Sequence, residues 1–136
     1  MVKEIVKDIF FLGQPSTPCT SSDLPLAKDL TDTLSANHDR CVGMAANMIG
    51  VRKRAIIVDT GFMPLVMFNP VITRKDRPYE TEEGCLSLAG TRKTTRYQTI
   101  EVEYMDSRWK RQAGKFVGWT AQIIQHECDH LDGVLI

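Results

Sequence analysis

The run His126-Glu127-Cys128-Asp129-His130 constrains this 136-residue chain more than any other feature. Two imidazoles stand four positions apart, with a carboxylic acid directly after the first. At about 3.6 residues per turn, positions i and i+4 share a helix face. Both rings can then reach one divalent metal, and Glu127 can take a proton from water there. The same spacing taken alone also fits a solvated helix face without metal. The preceding residues favour the first reading. Trp119, Ile123, Ile124 and Cys128, continued by Leu131, have helical apolar spacing and so a buried face. Asp132-Gly133 supplies a stop, with Gly133 as a left-handed cap. The pair thus belongs to the end of a core helix, a rigid platform for ligands. The third histidine, His38, lies in a polar stretch and reads as a solvated helix-end residue.

The length fits one domain, residues 1–136, with a core of helices packed on sheets. Seventeen basic and seventeen acidic residues balance. No global field therefore points to nucleic acid or to a membrane surface, and a monomer is expected. No apolar run approaches the roughly 20 residues of a membrane span. The first eight residues mix charges and carry no secretory pattern. A cytoplasmic location follows as an expectation, with the four cysteines reduced. Cys41 and Cys128 read as small buried residues, and Cys19 as incidental in a Pro/Thr/Ser stretch.

Residues 13–22 read as a loop. Asp23-Leu24-Pro25 opens a helix, with Asp23 near the cap and Pro25 in the first turn. Leu26, Ala27, Leu30 and Leu34 mark its buried face, and it ends near Asn37. Residues 55–59 and 65–68 are apolar strands; Asn69-Pro70 ends or bends the second, and Val71-Ile72-Thr73 begins a third. Residues 99–104 alternate and form a half-exposed strand, and Phe116-Val117 form a short one before the last helix. Strands in the middle and helices at the ends give α+β architecture: mainly antiparallel sheets around the C-terminal HExxH helix, with one N-terminal helix.

A catalytic site of this kind needs a third protein ligand and an open position. Only Asp132 is acidic among the residues after His130, and it faces away from the histidines, so the ligand comes from upstream. The best candidate is Cys85 in Glu82-Glu83-Gly84-Cys85-Leu86-Ser87, where Gly84 lets the backbone turn and present the thiol. Cys85 also fits a nucleophile with a histidine base, or a buried thiol. A third segment, Gly43 to Gly50, is rich in small residues. It suits close backbone approach to a ligand, or equally a tightly packed turn.

The order Gly-hydrophobic-Ala-Ala, Glu-Gly-Cys-Leu-Ser and Gln-His-Glu-x-Asp-His-Leu-x-Gly resembles peptide deformylase. That metal hydrolase removes the formyl group from the N-terminal formylmethionine of new proteins. The resemblance implies that Cys85, His126 and His130 hold one divalent metal, Fe(II) in vivo, with zinc or nickel accepted. It makes Glu127 the general acid/base and the backbone N–H of Leu86 a donor to the formyl oxygen. It assigns Val42, Gly43, Met48, Arg92, Trp119 and Ile123 to substrate binding, with Trp119 and Ile123 in the methionine pocket. Glu83 becomes a structural carboxylate whose arginine partner is displaced: Tyr97 stands at the family's place and Arg96 one earlier. The partners implied are formyl-Met peptides and nascent chains near the ribosome, without direct nucleic-acid or membrane contact.

Two residues depart from the first motif. Cys41 replaces a glycine, and Met48 replaces a glutamine whose amide donates to the substrate carbonyl or orients the attacking water. A thioether cannot donate, so turnover is expected to be lowered unless the Asn47 amide substitutes. Two other readings fit the sequence. One is a metal-containing protein of this fold that binds formylated or nascent peptide with little or no turnover. The other is a zincin-type endopeptidase with a downstream third ligand.

Overall fold

The computed structural model describes residues 1–85 and 87–135, with Leu88 described by its backbone alone. Five strands form one antiparallel sheet in the order β1-β2-β3-β4-β5. They are β1 (Gly43–Ala45), β2 (Ala55–Asp59), β3 (Pro64–Cys85), β4 (Leu88–Met105) and β5 (Arg111–Val117). Among the described residues three α-helices accompany them: α1 (Ile9–Leu12), α2 (Leu26–Ala36) and α3 (Gly118–Leu131). The expected α+β class, antiparallel pairing and C-terminal helix are all present. The short α1, capped by the Asp8 carboxylate, adds to the one N-terminal helix that was expected.

The sheet is built where apolar runs demand burial. Ala55, Ile56, Ile57 and Val58 are all fully buried, so both faces of β2 are covered. A strand buried on both faces reads as a continuous apolar run. α2 packs against β2 and β3 through Leu26, Leu30 and Leu34. Ala27 is only half-buried. Pro25 sits at the N-cap of α2, and Asp23 caps a preceding 3-10 turn by accepting from Thr20 N–H at 2.8 Å.

β3 and β4 run far beyond the strands that the apolar pattern predicts. Val71-Ile72-Thr73 continues β3 instead of opening a new strand, past a bend where Asn69 adopts φ 51°. The arm from Arg74 to Thr99 pairs along its length and closes with Cys85 opposite Leu88. Its residues are mostly polar and exposed. This hairpin delivers Cys85 to the helix. Cys19 is no incidental loop residue: it is buried in the core, and Asn69 holds its backbone on both sides, at 2.7 and 3.0 Å.

α3 crosses β1, β2 and β4. Ala121, Ile124, Cys128 and Leu131 face the core. Complete burial of Ile124 and Leu131 contributes about 1.5–3 kcal/mol each to holding the helix in place. Gly133 takes the left-handed conformation expected of a C-terminal cap, at φ 78°.

Candidate metal centre and active site

The helical repeat puts His126 and His130 on one face of α3, and their Nε2 atoms stand 3.0 Å apart. Cys85, at the end of β3, completes a trio whose ligand atoms lie within 4.8 Å of one another. The other ring nitrogens fix the tautomers. His130 Nδ1 faces the Val134 carbonyl at 3.2 Å, and a carbonyl can only accept, so this nitrogen carries the proton. His126 Nδ1 faces the Glu83 carboxylate at 2.8 Å. Such an outer partner orients a ligating imidazole and raises its basicity. Two Nε2 lone pairs then point at one another beside a sulfur. Only a proton or a metal cation makes that arrangement favourable, and the donor set suits a borderline-soft divalent ion. The electrostatics agree. Burial works against charge on His126, but hydrogen bonds to Cys85 and Glu83 outweigh it and hold the ring up to about 10. Burial, followed by the charge of His126, pushes His130 down to about 4. Asp132, the downstream acid that a zincin arrangement would need, pairs instead with Arg54 at 2.9 Å.

Glu83 is the hub of the supporting network. Arg96 forks onto it with Nε at 3.0 Å and Nη2 at 2.7 Å, while Arg96 Nη1 reaches Asp129 at 2.6 Å. Gln122 donates to Glu83 at 2.9 Å and accepts from the Tyr79 hydroxyl at 3.2 Å. Burial opposes ionisation of Glu83, but bonds from His126, Arg96 and Gln122 keep it well below the usual carboxylate range. The displaced arginine thus does find its carboxylate. Adjacent strand residues point to opposite faces: Arg96 is turned toward α3, while the Tyr97 ring takes the Lys75 ammonium at 5.3 Å.

Glu127 is 5% exposed, and its Oε1 has no hydrogen-bond partner among the described residues. Burial is the main cause that pushes its carboxyl up to about 7. That suits a group that must both take and give a proton near neutrality. Gly43 lets the carboxylate approach β1, because a Cβ there would stand 3.1 Å from Glu127 Oε2 and 2.5 Å from Ile123 Cγ2.

A cavity of about 370 Å³ opens onto this centre. Val42, Gly43, Met48, Trp119 and Ile123 line it together with Cys85, His126 and Glu127. Arg92 does not; it lines a separate hollow of about 80 Å³ with Arg96, Asp129 and His130, and donates to the Leu135 carbonyl. Leu86 lies outside the described residues. Met48 is buried, and its sulfur accepts from Ala45 N–H at 3.4 Å. Asn47 is tied to α3 by its Nδ2, 2.9 Å from the His130 carbonyl, and does not line the cavity, so its amide does not replace the missing glutamine.

Several wall residues escaped the reading of the sequence: Arg40, Cys41, Thr81 and Gln122. Gln122 was accessible, because it lies one turn before His126 on the same helix face. Cys41, expected to be a buried apolar residue, is half-buried and faces the cavity. His38 is exposed at the end of α2, as its polar surroundings indicated.

Residues 4–136 match the family model described as polypeptide deformylase. A peptide deformylase of Clostridium beijerinckii is 56% identical over 136 residues, covering 100% of both chains. Among solved structures, the peptide deformylase of Thermotoga maritima superposes with a TM-score of 0.88 at 32% identity, over 99% of this chain and 95% of that one. A class I type b peptide deformylase from Acinetobacter baumannii gives 0.89 at 29% identity, over 99% and 97%. Together with the Cys/His/His donor set beside a buried glutamate, these matches establish that the chain belongs to the peptide deformylase family.

Proposed function

We propose that this chain hydrolyses the N-formyl group of formylmethionine at the start of newly made polypeptides, releasing formate and a free amine. The observation that carries the proposal is the convergence of Cys85, His126 and His130 within 4.8 Å at the wall of a cavity that also holds Glu127. A divalent metal held by those three residues would polarise the formyl carbonyl and acidify water. Fe(II) is the proposed native ion, with zinc or nickel as substitutes.

Glu127 takes the proton of the attacking water and later passes it to the amine nitrogen as the C–N bond breaks. Its unpartnered Oε1 has no competing bond to give up first. The Leu86 N–H, next in sequence after the cysteine, is the proposed donor to the formyl oxygen. Val42 and Gly43, on the free edge of the sheet, pair with the peptide backbone. Trp119 and Ile123 form the wall against the methionine side chain, and Arg92 meets the peptide farther out. Glu83 and Arg96 hold His126 in place and do not touch substrate. The chain is proposed to act as a cytoplasmic monomer on nascent chains near the ribosome, without direct nucleic-acid or membrane contact. No helix among the described residues is long and apolar enough to cross a membrane. The fold is proposed to be one catalytic domain over residues 1–136.

Met48 favours a second reading, slow or absent turnover, because a thioether at the cavity wall offers no hydrogen to the substrate. The Met48→Gln variant separates the two. A restored amide donor is expected to raise kcat on formyl-Met-Ala-Ser by at least about tenfold, and by up to the roughly 10²–10³ that a single oxyanion donor supplies. A glutamine form no faster than wild type would remove Met48 from the account of the rate.

A further inference from the structure

Among the described residues β1 is an edge strand, paired with β2 on one side only. Its register places Gly43 opposite Val58 and Met44 opposite Ile57, and Asp59 N–H donates to the Val42 carbonyl at 2.8 Å. In an antiparallel ladder, bonded and non-bonded pairs alternate. Val42 and Met44 therefore spend their polar groups on β2, while Gly43 turns its own N–H and C=O outward. A peptide that adds to an open edge pairs with such outward groups. Here the outward carbonyl is already occupied: the Cys41 sulfur donates to Gly43 O at 2.8 Å. Cys41 and Gly43 both line the cavity that holds Glu127 and His126.

We infer that the Cys41 thiol competes with the substrate backbone for the Gly43 carbonyl and thereby sets the KM of this enzyme. The inference rests on the deformylase reading and on Val42 and Gly43 as the peptide-pairing edge. Burial is the main cause that raises the Cys41 thiol to about 11, so it keeps its proton and remains a donor at neutral pH. The Gly43 carbonyl has a second lone pair, but the thiol stands on the outward side from which an added strand approaches, so pairing in β geometry displaces it. That loss is complete once the peptide has paired, and it is the same in the bound ground state and in the transition state. A uniform effect of this kind changes KM and leaves kcat alone. Cys41 acts through the Gly43 carbonyl and is a positioning residue.

The test compares wild type, Cys41→Ala and Cys41→Ser, each as the full metal-loaded chain, on formyl-Met-Ala-Ser. Alanine removes the competitor and is expected to lower KM by about two- to fivefold, the range set by a weak intramolecular hydrogen bond, with kcat within about twofold. Serine restores a donor and is expected to return KM to the wild-type value or above. A KM that alanine leaves unchanged or raises, or a serine variant that falls together with alanine, overturns the inference. Tryptophan fluorescence of the metal-free proteins, with Trp119 in the cavity wall, gives Kd for the same peptide without turnover, and the same order is expected. If none of the three proteins deformylates the peptide but Kd follows that order, the deformylase reading fails and the competition stands. If turnover is normal and neither KM nor Kd moves, the competition alone fails.

Discussion

Replacing Glu127 by glutamine is expected to lower kcat on a formyl-Met peptide by about 10²–10⁴, with metal content and fold intact. The side chain is buried against Gly43, and glutamine has nearly the same shape, so the packing survives. The proton chemistry does not, because an amide cannot take a proton from water and return it to an amine. The unpartnered Oε1 sharpens the case. A buried carboxylate with a free lone pair costs stability unless a ligand or water uses it, so a gain in denaturant resistance alongside the loss of turnover is also expected. Steady-state kinetics with elemental analysis of the same sample checks both. Turnover above about a tenth of wild type in a metal-replete Glu127→Gln protein would assign the proton transfer to another group.

The second large effect concerns a residue outside the wall of the cavity that holds Glu127. Arg96→Leu is expected to destabilise the metal-free protein by about 3–5 kcal/mol, because it takes the guanidinium fork from the buried Glu83 carboxylate and leaves only His126 and Gln122 against it. Arg96 is 7% exposed and Glu83 9%, so water does not replace the lost fork. Asp129 loses its 2.6 Å contact as well. The shift in urea midpoint at constant slope measures this directly. Glu83→Gln in the Arg96→Leu background removes the stranded charge and should recover a substantial part of the loss. A single variant within about 1 kcal/mol of wild type would mean that the network orients His126 without supporting the fold.

Much of this molecule was legible because its helices obey a period that the core enforces. α2 and α3 showed themselves through apolar residues on one face, and β2 through a run buried on both. The His126/His130 pair was legible for the same reason, since helical geometry alone brings the rings together. The arm from Arg74 to Thr99 was not. Both faces of that ribbon meet solvent over most of its length, so no alternation marks it, and Pro78 argues locally against a strand. Cys19 was misjudged because its polar neighbours in sequence say nothing about the Asn69 side chain that clamps it from fifty positions away. The partner of Glu83 stayed open because strand parity near bulges cannot be counted; β3 and β4 shift register at three places. The role of Cys41 depends on β1 being an edge, which is a property of sheet order and not of any local pattern.

Metal stoichiometry and deformylation, measured together on wild type and Cys85→Ala prepared without oxygen, test the central claim most directly. Wild type should hold about one divalent ion per chain and release formate from formyl-Met-Ala-Ser. The alanine variant should lose both the ion and the activity while keeping its fold by circular dichroism. A Cys85→Ala protein that retains a full equivalent of tightly held metal, or a metal-replete wild type that releases no formate, would contradict the account.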